Sequence, residues 1–226
     1  QEETLKLFRN RRVDGVILMS SRRNDELIEK LIKSDYPFVL IGRSPDHEGI
    51  PIVNNDNIKD TYASASFLLK RGYKKVVALS GPEEYIVSQD RAQGYMQALQ
   101  EHGDMEPEFI FVDDFKFEAA YEGILDYLQE NEKDFDAILA FDDMLALGAM
   151  RAIQEQGLRI PEDVGIMGFN DEPMLTYLKP ALSTVRLPIQ RMGEEAARML
   201  IKMLNEKGYK GEEIILPTEL IIRDTV

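Results

Sequence analysis

Short apolar runs alternate with longer amphipathic segments along this 226-residue chain, and that alternation constrains the fold more than any other feature. Near-continuous apolar runs are typical of strands in a parallel sheet with helices on both faces. The pattern therefore predicts an α/β fold with parallel sheets flanked by helices. The predicted strands cover residues 13–19, 38–42, 76–80, 109–112, 137–141 and 164–169, and residues 214–223 are predicted to form a strand pair bent at Pro217.

Amphipathic segments with recognisable ends separate these strands. A glycine follows several of them, as is common where a helix ends. Asn24 is predicted to cap the helix that follows it. Two segments rich in polar or turn-forming residues, 50–57 and 177–187, are candidate crossings between two lobes. The predicted helices cover residues 2–9, 25–33, 61–71, 88–102, 144–156 and 189–204.

Composition and motif content exclude several functional classes. The chain has 27 basic and 41 acidic residues, a net charge of −14 that disfavours binding to a DNA backbone. The absence of cysteine excludes disulfides and thiolate metal sites, and fits a cytoplasmic location. His47 and His102 lie in polar contexts without metal-ligand spacing, and no phosphate-binding loop is present. We therefore expect neither a metal nor a cofactor.

Polar residues follow the carboxyl ends of four predicted strands: Ser21, Arg43, Asp142 and Asn170 are examples. In open α/β sheets the ligand crevice lies at that edge. Helix capping is the alternative for each Asp or Asn taken singly. Four such strand ends together favour a polar cleft, and its side chains would suit a polyhydroxylated ligand. They include no nucleophile paired with a base, so we do not expect an enzyme.

Three further residues are candidates for ligand contact. Arg91 lies near the start of a predicted helix, and its side chain is expected to point into the cleft rather than into the core. Phe115 follows the strand predicted at 109–112, where packing in the core or in a lid is an equal alternative. Tyr85 lies in a loop, and exposed loop packing is its alternative role.

Eight motifs, in order, carry a resemblance to a known family. They stand at residues 12–18 (RVDGVIL), 53–57 (VNNDN), 69–73 (LKRGY), 90–95 (DRAQGY), 140–148 (AFDDMLALG), 157–171 (GLRIPEDVGIMGFND), 180–186 (PALSTVR) and 216–223 (LPTELIIR). With these motifs the chain resembles the LacI/GalR transcriptional regulators over almost its whole length. Within that family it is most similar to maltose-operon repressors.

The resemblance implies a periplasmic-binding-protein-like fold of two lobes that close on a small effector. The implied division is 1–54 with 184–210 in one lobe, and 55–183 with 211–226 in the other. The first strand, helix and second strand of the family's N-terminal lobe have no counterpart here. The resemblance also implies a homodimer, and operator DNA bound through an N-terminal head absent from this chain. A phosphocarrier protein is a further candidate partner.

The resemblance also implies roles for individual residues. Arg91 would clamp the effector, while Asp142 and Asn170 would hydrogen-bond to its hydroxyls. Relatives usually have Asp where Asn170 stands, so one charge is missing. Asp143 is assigned to helix capping. The other implied effector contacts are Ser21, Asn55, Asp56, Tyr85 and Phe115.

These expectations identify the chain as the effector-binding and dimerisation core of a sugar-sensing repressor. The alternative is a periplasmic or lipid-anchored sugar-binding transport protein of the same fold. The repressor-type motif at 157–171 argues against that alternative.

Overall fold

Two sheets organise the chain, which a computed structural model describes over residues 2–10, 12–19, 22–103, 105–130 and 134–226. The elements in chain order are α1 (Glu2–Arg9), β1 (Val16–Leu18), α2 (Glu26–Lys33), β2 (Phe38–Ile41), β3 (Ile52–Asn54), α3 (Asn57–Arg71), β4 (Val76–Ser80), α4 (Ile86–Glu101), β5 (Phe109–Phe111), α5 (Phe117–Glu130), β6 (Ala137–Ala140), α6 (Asp143–Glu155), β7 (Gly165–Asn170), a 3-10 helix (Pro173–Tyr177), β8 (Ser183–Arg186), α7 (Ile189–Asn205), β9 (Glu213–Ile215) and β10 (Glu219–Ile221). None of the described helices is both long and apolar enough to cross a membrane.

The chain divides into two units. The first comprises Gln1–Asp56, Glu84–Val87 and Pro188–Pro217. The second comprises the rest: Asn57–Glu83, Ser88–Leu187 and Thr218–Val226.

The first unit has a parallel sheet in the order β1-β2-β3-β9. Helix α2 buries Leu27, Ile28 and Leu31 in a core with residues of β2. Asp25 caps this helix, since its Oδ1 accepts from the backbone N–H of Leu27 at 2.9 Å. The predicted cap at Asn24 is therefore wrong by one residue.

The second unit has a sheet in the order β10-β8-β7-β6-β4-β5, parallel except for β10, which runs antiparallel to β8. Alternate residues of the buried strands enter different cores. Leu79 and Ile138 pack in the cluster that contains residues of α5 and α6. Ala78 and Leu139 pack in the cluster that contains residues of α3 and α4. Helices thus cover both faces, which confirms the predicted α/β fold.

The structure corrects the predicted lobe boundaries at two short strands, β8 and β9. Both candidate crossings contain a strand, β3 in 50–57 and β8 in 177–187. Because β8 pairs with β7, residues 184–187 belong to the second unit rather than to the predicted first lobe. Because β9 pairs with β3, residues 211–217 belong to the first unit. A strand of three or four residues does not reveal its pairing partner in its own composition.

Candidate functional site

Asp142 and Asn170 meet at the carboxyl edge of the second unit's sheet. They follow or end β6 and β7, which are parallel neighbours, so the two strand ends share that edge. Asn170 Nδ2 donates a hydrogen bond to Asp142 Oδ2 at 2.7 Å. The other oxygen of Asp142 accepts from the backbone N–H of Met144 at 2.7 Å and so caps α6. Asp142 therefore combines the capping role and the polar-edge role that the sequence offered as alternatives.

Asn170 has a strained backbone. Its φ of 123° lies in the region that favours glycine. Strand β8 holds it there: Asn170 is in register with Arg186, and its carbonyl accepts from the N–H of Leu187 at 3.3 Å. Such strain persists only where neighbouring structure fixes it, and it is frequent at ligand sites.

Asp143 is buried and does not cap the helix, so its predicted capping role is wrong. Its carboxylate accepts from Thr184 Oγ1 at 2.7 Å and from the backbone N–H of Glu172 at 2.9 Å. Burial raises the pKa of Asp143 to about 6, an effect that these two donors oppose. Burial also raises the pKa of the neighbouring Asp142, against the N–H of Met144.

Arg91 is only 5% exposed and is held by its own unit. Its Nε donates to Asn57 Oδ1 at 3.0 Å, and its Nη1 donates to the carbonyl of Phe141, the residue before Asp142. The guanidinium carbon lies 3.6 Å from the ring centroid of Phe169. Burial lowers the pKa of Arg91 to about 10, with nearby carboxylates led by Asp142 opposing it, so Arg91 is charged at neutral pH.

Two of these partners, Asn57 and Phe169, were not among the predicted site residues. Asn57 is the last residue of the VNNDN motif, and Phe169 precedes Asn170. Their positions beside predicted site residues are the only sequence signal that indicated them. Phe169 is fully buried and otherwise looks like an ordinary core residue.

Phe115 lies against the end of β4. A Cβ placed on Gly81 would come within 2.6 Å of the Phe115 ring, so only glycine allows the ring this close. The ring is partly buried and packs on the second unit's core. This is the packing that the sequence offered as an alternative, and a ligand contact for Phe115 stays a prediction.

The remaining predicted contacts fall in the first unit. Tyr85 accepts a hydrogen bond from Arg22 Nη2 at 2.6 Å, and the Arg22 guanidinium carbon lies 4.5 Å from the Tyr85 ring centroid. Arg22 was not predicted. Asn55 is buried and Asp56 is exposed, directly after β3. Ser21 lies outside the described residues.

Within the described part of the chain, no group of three His, Asp or Glu side chains could hold a metal ion. The cluster around Arg91, Asp142 and Asn170 instead offers hydrogen-bond donors and acceptors beside the Phe169 ring. Such an arrangement suits a small polar ligand.

The fold and this polar edge define a periplasmic-binding-protein-like domain. A family profile described as a periplasmic binding protein-like domain matches residues 65–226. The HTH-type transcriptional regulator RegA of Clostridium saccharobutylicum is 35% identical over 228 residues, covering 100% of this chain and 68% of RegA. The chain thus spans about two thirds of this curated relative.

Two solved structures extend the similarity. The transcriptional regulator LacI from Bacillus cereus subsp. cytotoxis NVH 391-98 superposes with a TM-score of 0.93 at 31% identity, covering 99% of this chain and 79% of that one. The transcriptional regulator CelR, solved as a cellobiose complex, superposes with a TM-score of 0.90 at 27% identity, covering 100% and 69%.

The chain belongs to the LacI family of transcriptional regulators and corresponds to their effector-binding core. The relatives are regulators and not enzymes, and they do not favour the transport-protein alternative.

Proposed function

We propose that this chain binds a small sugar as the effector of a LacI-type transcriptional repressor. The observation that carries the proposal is the Asp142–Asn170 pair at the sheet edge, with the charged Arg91 beside it. A carboxylate oxygen accepts more than one hydrogen bond, and an amide offers both a donor and an acceptor. Neighbouring sugar hydroxyls, which donate and accept, match this pattern.

The fixed positions of two side chains support the proposal. Arg91 and Asp142 keep fixed positions, through Asn57 and the Phe141 carbonyl in one case and through Met144 in the other. A ligand that meets groups already in place loses less free energy to their ordering. The cellobiose complex of CelR adds support for a sugar, because it shares this fold.

Maltose or a maltodextrin is our candidate effector. The support is the resemblance of the sequence to maltose-operon repressors at Tyr85, Phe115, residues 167–170 and residues 184–188. Aromatic rings such as these stack on the apolar faces of sugar rings.

The partners of the whole protein follow from the family. We propose a cytoplasmic homodimer that binds operator DNA through an N-terminal helix-turn-helix head. The net charge of −14 fits a division in which this part senses and another part contacts DNA. A phosphocarrier protein is the further partner that we propose.

Calorimetric titration of the full-length protein tests the sugar proposal. The panel is maltose, maltotriose, cellobiose and ribose, with hypoxanthine as a ligand that is not a sugar. We expect one of the sugars to bind, and Asn170→Ala to weaken it about tenfold, the value of one hydrogen bond. Asp126→Asn, on an exposed position of α5, is the matched control and should bind like the parent.

Binding of hypoxanthine with no sugar bound would overturn the sugar class. Unchanged sugar affinity in folded Asn170→Ala would show that the sugar site does not include Asn170.

A further inference from the structure

The buried carboxylate of Asp143 joins three elements of the second unit. Asp143 begins α6, Thr184 lies in β8, and Glu172 follows β7. Both of the latter donate to the carboxylate, from the Thr184 hydroxyl at 2.7 Å and the Glu172 N–H at 2.9 Å. Asp143 and Thr184 are fully buried, so the bond between them is shielded from water.

Gly168 provides the space that this carboxylate occupies. A Cβ on Gly168 would lie 2.3 Å from Asp143 Oδ1, which is shorter than any ordinary contact. Any larger residue at position 168 would displace the carboxylate. Glycine at position 168 of β7 thus leaves the room that the Asp143 carboxylate needs.

The segment that Asp143 holds carries the candidate sugar contact. Asn170 and Asp171 both have positive φ values, 123° and 63°, and Glu172 follows directly. Asp171 is fixed as well, since it accepts from Arg186 Nε and Arg223 Nη2, each at 2.6 Å. A strained segment keeps such a shape only while its anchors hold.

We infer that Asp143 is a positioning residue of the effector site, which acts by holding segment 170–172 and β8 so that Asn170 faces Asp142. The inference rests on the proposed function only in taking a sugar as the ligand. The positioning of Asn170 by Asp143 does not depend on which ligand binds. Asp143 acts on Asn170 through Thr184 and through the backbone N–H groups of Asp171 and Glu172, and no contact between Asp143 and the sugar is required.

The ionised form of Asp143 is the one that positions. Its partners donate through N–H and O–H groups, so they need an acceptor on both oxygens. Burial raises the pKa of Asp143 to about 6, and protonation there removes acceptor capacity. The charged groups around it are Asp142, which caps α6, Arg91 on α4, and Asp171 with its two arginine partners.

The test follows the Asn170 side-chain amide by NMR in the full-length protein without sugar, from pH 5 to pH 8. The resonance is assigned by its loss in Asn170→Asp. We expect a titration step near pH 6 in the parent, and its loss in Asp143→Asn. Asp126→Asn should keep the step.

Thr184 provides a second pair of variants in case Asp143→Asn does not fold. Thr184→Val removes a donor to the carboxylate and should raise the midpoint by about 0.7 pH units. Thr184→Ser keeps the hydroxyl and should restore the midpoint. If Thr184 had only a structural role, the midpoint would not rise in Thr184→Val and return in Thr184→Ser.

An unchanged step in folded Asp143→Asn, or an unchanged midpoint in Thr184→Val, would overturn the inference. Since no sugar is present, either result leaves the proposed function standing. A later titration with maltose at pH 5 and pH 8 bears on the proposed function: no binding at either pH counts against maltose and not against the positioning role.

Discussion

Arg91 in the second unit and Arg22 in the first unit each lie over an aromatic ring, and they differ in their environment. Arg91 lies 3.6 Å from the Phe169 centroid and is 5% exposed, whereas Arg22 lies 4.5 Å from the Tyr85 centroid with 52% of its side chain exposed. Cation–π contacts stabilise by about 0.5–1 kcal/mol at exposed sites and by about 2 kcal/mol or more when desolvated.

The difference separates a fixed contact from an adaptable one. Arg91 is oriented by Asn57 and by the Phe141 carbonyl, so its position does not depend on a ligand. Arg22 is oriented only at the surface, by Tyr85 and by Glu84 at 3.8 Å, where water competes. We infer that the Arg91 pair is a rigid feature of the second unit. The Arg22 pair is a surface feature of the first unit that can vary at little cost to the fold.

The largest expected effect comes from Arg91→Ala. It leaves the Asn57 amide oxygen and the Phe141 carbonyl without a buried donor, and we expect a loss of about 3 kcal/mol of stability together with loss of sugar binding. Urea denaturation and calorimetry measure the two effects. Arg91→Lys keeps the charge but not the planar guanidinium, so its loss of stability and of sugar affinity should be smaller than that of Arg91→Ala. An unchanged urea midpoint would remove the distinction between the two arginines.

The second largest expected effect is a pH dependence of the free energy of unfolding, which comes from the buried Asp143. The native pKa of Asp143, about 6, exceeds the ordinary value of 3.8, so the native state binds more protons between these values. Its contribution to the free energy of unfolding therefore falls as pH rises from 4 to 6, on the order of 2 kcal/mol. Asp143→Asn should lack that component. Parallel stability curves for parent and variant between pH 4 and pH 7 would contradict this.

The smallest effect is the matched comparison of the two rings. Phe169→Leu keeps apolar volume but removes the ring under Arg91, and should cost about 1.5 kcal/mol of stability. Tyr85→Leu should leave the thermal midpoint unchanged within error, because Arg22 keeps its hydration. Equal shifts of the thermal midpoint in the two variants would show that burial does not distinguish the pairs.

The sequence predicted the parts of the fold that are long or strongly patterned. The apolar run at 76–80 and the amphipathic segment at 2–9 match β4 and α1 residue for residue. Strands β3 and β8 were missed, although β1 and β5 are as short and were predicted. Both missed strands lie in segments rich in polar or turn-forming residues, and their pairing with neighbouring strands defines them. Helix α5 was missed as well, although its apolar residues lie on one face.

The site was predictable where chain direction alone brings residues together. Asp142 and Asn170 end parallel neighbours, so their meeting follows from strand order. Burial was not predictable, because it depends on residues elsewhere in the sequence. Arg91 was expected to point into a cleft, and the structure instead buries it on Phe169. The same limit explains why the capping role was given to Asp143 when Asp142 holds it.

The most direct test of the account is a crystal structure of the full-length protein with the sugar that binds tightest in the calorimetric panel. We expect sugar hydroxyls within about 3.2 Å of the Asp142 carboxylate and the Asn170 amide, with the Arg91 side chain still on Phe169. A sugar bound elsewhere, with no hydroxyl in contact with Asp142, Asn170 or Arg91, would contradict the proposed site.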